Sequence, residues 1–143
     1  MSRVCHVASW WFPGDPAVVS RARSLVTCQL ALWVLEHLTE STELIVSELV
    51  TNAIVHGNVK CDRDRTIGLR LIRHAVLTCE VSDTSHSRPL LHRPTATDEH
   101  GRGLFLVSRL SRAWGARHVP DGKLIWVDQR LTPGPCPEPR PAP

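Results

Sequence analysis

Apolar residues recur in two rhythms along this chain, at steps of three and four up to Val55 and at steps of two from Ile67 to Val81. The first rhythm is that of a helix with one buried face and the second that of a half-buried strand. Val19, Ala22, Val26, Leu30 and Trp33 predict a first helix, with Asp15 placed to cap it and Pro16 in its first turn. A second helix is expected over Thr42–His56, capped by Ser41 or Thr42, with Glu43 in the first turn and Gly57-Asn58 as its stop. "TIGLRLIR" and "VLTCEVSD", joined by a tight "HA", predict an antiparallel hairpin, and "VCHVASWWF" at the front predicts an edge strand before the turn "PGDP".

Beyond Asp83 the pattern breaks into a polar stretch, Thr84–His100, longer than an ordinary connection; loops of that length are usually functional or disordered. Leu104, Val107, Leu110 and Trp114 then share one helical face, with Gly115 as the expected stop. Two further strands, "ARHV" and "KLIWVDQRL", flank the turn signal "PDG". The implied architecture is α+β, a two-layer sandwich with helices on one face of a mixed or antiparallel sheet. The domain is expected over residues 1–131, followed by a proline-rich tail, residues 132–143, expected to be extended or disordered.

Composition narrows the functional classes. A chain of 143 residues fits one domain, and no apolar run approaches the ~20 residues that span a bilayer. "MSRVCHVASWWF" lacks the apolar run and cleavage site of a secretory signal, so a cytoplasmic location is expected. Five cysteines without a close pair argue against a disulfide framework and against a Cys-x-x-Cys metal site. The net charge of +3 is spread along the chain rather than gathered into a basic stripe, which argues against direct nucleic-acid binding.

Three stretches carry candidate chemistry. In "SELVTNAIVHG", Glu48, Asn52 and His56 lie four residues apart, so they form one stripe on the second helix. The stripe either faces solvent or lines a pocket; a mid-helix asparagine favours the pocket, because it is a poor helix former unless its amide has a partner. An amide oxygen beside a carboxylate suits a Mg²⁺ ion held next to a general base. In "VSDTS", Asp83 closes a strand, where it either starts a turn or accepts a hydrogen bond from a ligand amine such as that of adenine. In "DEHGRGLFLV", Gly101 and Gly103 bracket Arg102 at a helix mouth, an arrangement that allows phosphate to approach backbone N–H groups, although a lone Gly-x-Gly is more often just a flexible helix entry.

Taken in order with "WG", "PDGK" and "IWVD", these stretches resemble the histidine-kinase-like (GHKL) ATPase family, and within it the bacterial anti-sigma-factor serine kinases and small actinomycete ATP-binding regulators. The resemblance runs from about Pro16 to Leu131. It implies ATP and Mg²⁺ as cofactors, Glu48 as general base, Asn52 as the Mg²⁺ ligand, Asp83 as the adenine reader, and Gly101, Arg102, Gly103 and Leu104 as a phosphate lid. It further implies serine/threonine kinase activity on an anti-anti-sigma-type protein, and a sigma factor as the second partner; a homodimer stays open. His56 is expected to cap or pack at the helix end. Two positions depart from the family pattern: Asp83-Thr-Ser-His-Ser replaces Asp-x-Gly-x-Gly, and Leu124 follows Gly122-Lys123 where a threonine near the adenine is common, a lost hydroxyl expected to lower nucleotide affinity.

Overall fold

The two apolar rhythms meet as two packed layers. The structure, a computed structural model, describes residues 4–56, 66–83, 107–119 and 122–132. Five strands, β1 (His6–Pro13), β2 (Thr66–Arg73), β3 (Val76–Asp83), β4 (Ala113–Val119) and β5 (Gly122–Arg130), form one sheet in the order β1-β2-β3-β5-β4. Every neighbouring pair is antiparallel, which resolves the expected mixed or antiparallel sheet to the second alternative. Two helices, α1 (Val18–Leu32) and α2 (Thr39–His56), cover one face, and β1 lies at the edge as its sequence predicts. The core between the layers is built from Ala22, Val26 and Leu30 of α1, Ile45, Leu49 and Val50 of α2, and the inward residues of β2, β3 and β5.

Period-two alternation splits the sheet into an inner and an outer face. Leu77, Cys79 and Val81 point into the core, whereas Thr78, Glu80 and Ser82 lie on the face opposite the helices. Burial pushes the Cys79 thiol up to about 12, with Glu80 adding to the shift, so this cysteine behaves as an inert core residue. The outer face carries its own ornaments. Arg70 donates from Nε (2.8 Å) and Nη2 (2.5 Å) to Glu80 Oε2 across the β2–β3 pair, and Thr78 donates to Asp128 Oδ1 (2.6 Å).

The helix ends differ in detail from the sequence expectation. Asp15 accepts a hydrogen bond from the Ala17 N–H (2.9 Å) one turn before α1 proper, so it does tie the entry, although regular helix starts only at Val18. α2 begins at Thr39, three residues early, because a single 3-10 turn (Glu36–Leu38) feeds directly into it. Ser41 and Thr42 therefore lie inside the helix; Thr42 donates to Gln129 Oε1 (2.9 Å) and anchors this end of α2 to β5. Glu43 is past the first turn and accepts from Thr27 Oγ1 (2.5 Å), which makes it a link between the helices rather than a dipole partner.

The expected helix through Trp114 and Gly115 is the largest correction. Helical residues end at Leu110, Ser111 donates back to the Ser108 carbonyl (3.2 Å), and the Arg112 N–H already donates to the Asp128 carbonyl (2.7 Å). Trp114 pairs opposite Val127 and Gly115 opposite Trp126 as part of β4. A Cβ on Gly115 would lie 2.8 Å from Trp126 Cζ2, so the glycine is required by the indole that covers it, not by a helix stop. Long-range pairing with β5 outweighs the local helical period.

α1 closes with a Schellman arrangement: the Leu35 N–H donates to the Leu30 carbonyl (2.8 Å) and the Val34 N–H to the Ala31 carbonyl (3.1 Å). The left-handed position of that motif is held by Val34 at φ 58°, a β-branched residue where glycine is the usual occupant, with its side chain 75% exposed. Exchange by Val34→Gly removes the clash between Cβ and backbone and loses little packing. The variant is expected to be about 1 kcal/mol more stable, read as a raised urea midpoint at unchanged slope; a lower midpoint would refute strain at this residue.

Candidate functional site

α2 is the element that positions the candidate side chains. Its first half is fixed at Thr42 to Gln129, which lies opposite Leu77 at the start of β3. From Thr42 to Asn52 the helix advances roughly 15 Å, while Leu77 to Asp83 spans roughly 20 Å of strand. α2 packs on β3, so Glu48 and Asn52 travel toward the end of the sheet that Asp83 terminates. The structure thus brings the stripe and the strand end to one end of the core.

The environments of these residues separate their chemistry. Glu48 is half-buried, whereas Asn52 is 7% exposed in a helix whose neighbours Leu49, Val50 and Ala53 are core. Among the described residues the Asn52 carboxamide has no hydrogen-bond partner, and none of its polar atoms is fully sealed from solvent. The amide is an oxygen donor of the type a hard cation takes, with the Glu48 carboxylate one turn away.

Asp83 is 4% exposed on the inner face of β3. Its register partner is Lys123 on β5, also 4% exposed and on the same face. Side chains directly opposite in an antiparallel pair have Cβ atoms roughly 5 Å apart. Two opposite charges are thus buried side by side at the sheet end, the arrangement in which each offsets the desolvation of the other.

Lys123 is the residue that sequence reasoning missed. The signal was present: Ile125 and Val127 are core residues, and counting back by two from them puts Lys123 on the same face. The same alternation corrects the reading of Leu124. It pairs with Ser82 and lies on the outer face, where it lines a groove with Trp11 and Gly68. A hydroxyl at position 124 would not reach the Asp83 side of the sheet, so Leu124 costs the candidate site nothing.

Gly101, Arg102, Gly103 and Leu104, the Thr84–His100 stretch and the Gly57-Asn58 stop lie outside the described residues. His56 is the last residue of α2, but its side chain also lies outside them. No described helix is long and apolar enough to cross a membrane.

An antiparallel five-stranded sheet covered on one face, with an amide and a carboxylate on the covering helix and an aspartate at the strand end, agrees with a comparison against known families. The family described as histidine kinase-like ATPase domain matches residues 12–128. The chain belongs to the histidine kinase-like ATPase domain family, and its fold is that of an ATP-binding regulatory or kinase-like protein. No curated protein matches the chain.

The buried charges make a prediction that needs no ligand. Lys123→Met leaves the Asp83 carboxylate buried without its neighbour and is expected to lower stability by about 3 kcal/mol. Adding Asp83→Asn should return part of that loss. A double-mutant cycle from urea melts is expected to give a coupling above ~1 kcal/mol, and strictly additive losses would show that the two groups do not interact.

Proposed function

We propose that this protein is an ATP-binding regulator that phosphorylates a serine or threonine on an anti-anti-sigma-type partner and sequesters a sigma factor when that partner is modified. The observation that carries the reading is the pair on α2: a half-buried Glu48 one turn before a buried Asn52 amide without a partner among the described residues, on the helix that packs over β3. A module that only senses nucleotide has no need of a carboxylate at position 48.

In this mechanism Glu48 accepts the proton of the attacking hydroxyl while that oxygen bonds to the terminal phosphorus and the bond to the ADP oxygen breaks. Asn52 would hold Mg²⁺ through its amide oxygen, and the ion would supply positive charge against the phosphates. Asp83 accepts a hydrogen bond from the adenine amine, and Lys123, buried beside it, holds the carboxylate in place. Gly101, Arg102, Gly103 and Leu104 receive the phosphates. The site acts in the cytoplasm, and neither a membrane nor nucleic acid takes part.

A second reading has one observation in its favour. A carboxylate already facing an ammonium binds adenine less readily than one without such a neighbour, which suits a nucleotide-responsive module that holds a partner with little turnover.

Transfer of labelled phosphate from Mg-ATP to a co-encoded small partner separates the two. Wild-type protein is expected to transfer, and Glu48→Gln to lose at least a hundredfold in rate while binding ATP as before. Binding without transfer in the wild type would support the second reading, and an unchanged rate in Glu48→Gln would remove Glu48 from the chemistry. Asp83→Asn is expected to weaken ATP binding at least tenfold, read by calorimetry; equal affinity would overturn its role as adenine reader.

A further inference from the structure

The register puts Lys123 where it can do more than support Asp83. On the inner face of the sheet its cross-strand neighbours are Asp83 on β3 and His118 on β4, so a row of three polar residues runs across adjacent strands at one end of the sheet. Of the two neighbours only Asp83 carries a negative charge. His118 is exposed, whereas Lys123 and Asp83 are each 4% exposed. A lysine ordinarily lays its stem on apolar ground and keeps its ammonium in water. Lys123 does not, and it stands in line with Ile125 and Val127 of the core.

Side chains on a strand stand roughly perpendicular to the sheet, and a lysine outreaches an aspartate. From Cβ atoms roughly 5 Å apart, the ammonium of Lys123 therefore comes level with the Asp83 carboxylate with reach to spare. A carboxylate only accepts hydrogen bonds, and an ammonium carries three N–H donors, so a bond to Asp83 leaves it able to donate to a ligand as well. The pair thus offers an acceptor and a donor side by side, which is complementary to a ligand edge carrying a donor next to an acceptor. Adenine has such an edge on either side of its amine, ending in N1 or in N7. Guanine puts O6 in the place of the amine, so its lone pairs would face the carboxylate.

We infer that Lys123 donates a hydrogen bond to the adenine ring nitrogen next to the amine that Asp83 accepts from, and that the pair, rather than the aspartate alone, selects adenine over guanine. The inference rests on the reading of Asp83 as the adenine reader. Lys123 is then a specificity-determining residue. Its charge draws on the carboxylate and weakens the bond to the amine, and the contact with the ring nitrogen offsets that loss. A lysine that only held Asp83 in place would be indifferent to the ring nitrogens.

Calorimetry on the full chain with ATP, 1-deaza-ATP, 7-deaza-ATP and GTP separates the two roles, because each deaza analogue replaces one ring nitrogen by C–H and keeps the amine. The wild type is expected to bind at least one analogue tenfold or more weakly than ATP, and the sensitive analogue names the nitrogen. GTP is expected to bind at least tenfold more weakly than ATP. Lys123→Met, with its fold checked by circular dichroism, is expected to bind the sensitive analogue as well as it binds ATP. Equal binding of ATP and both analogues by the wild type would overturn the inference, and that comparison decides it even where Lys123→Met does not fold. Discrimination retained in Lys123→Met, or GTP bound as tightly as ATP, would overturn it too. Failure of the underlying reading has a different signature: Asp83→Asn would then bind ATP as well as the wild type does. Analogue-insensitive binding that Asp83→Asn still weakens removes the role of Lys123 alone.

Discussion

The register of β3 is the constraint on which the rest of the molecule depends. β3 is the central strand, paired to β2 on one side and β5 on the other, and its alternation decides which residues see the helices. A slip of one residue would send Leu77, Cys79 and Val81 to water and bring Glu80 into the core. It would also move Asp83 out and Ser82 in, parting Asp83 from Lys123 on β5. The apolar half of the strand therefore fixes the polar end: the energy that holds the register comes from the core, and the position of the site is a by-product of it.

α2 obeys a complementary constraint. Its flank toward the sheet is so completely apolar that any polar group there must find a partner inside the protein or open onto a cavity. Thr42 takes the first course, with Gln129. Asn52, buried on the same helix, has no such partner among the described residues, and this contrast separates an anchoring residue from a receptive one.

Much of this was legible in the sequence, for physical reasons that differ by element. The β2–β3 hairpin and both helices are local: their periods are set by residues that lie close in the chain, and a tight turn joins the two strands. The Glu48–Asn52 stripe followed directly from helical spacing. β4 was illegible because Trp114 and Gly115 satisfy a helical period as well as a strand one, and only the indole of Trp126, eleven residues later in the chain, decides between them. The early start of α2 was hidden for a similar reason, since Ser41 and Thr42 are good caps whose hydroxyls are in fact engaged by Leu38 and Gln129. Lys123 was visible in principle by counting along β5, but a lysine beside a turn reads as a surface residue until a buried strand claims it.

The pairing of β3 with β5 has a further consequence, for how the chain tolerates change. About forty residues separate Asp83 from its partner Lys123, and closing so long a loop costs conformational entropy that grows only with the logarithm of its length. Doubling it would cost about 0.6 kcal/mol. The cost of bringing β3 to β5 thus depends little on the number of residues between them, while β4 and Val107 within that span are held by β5 and by the core.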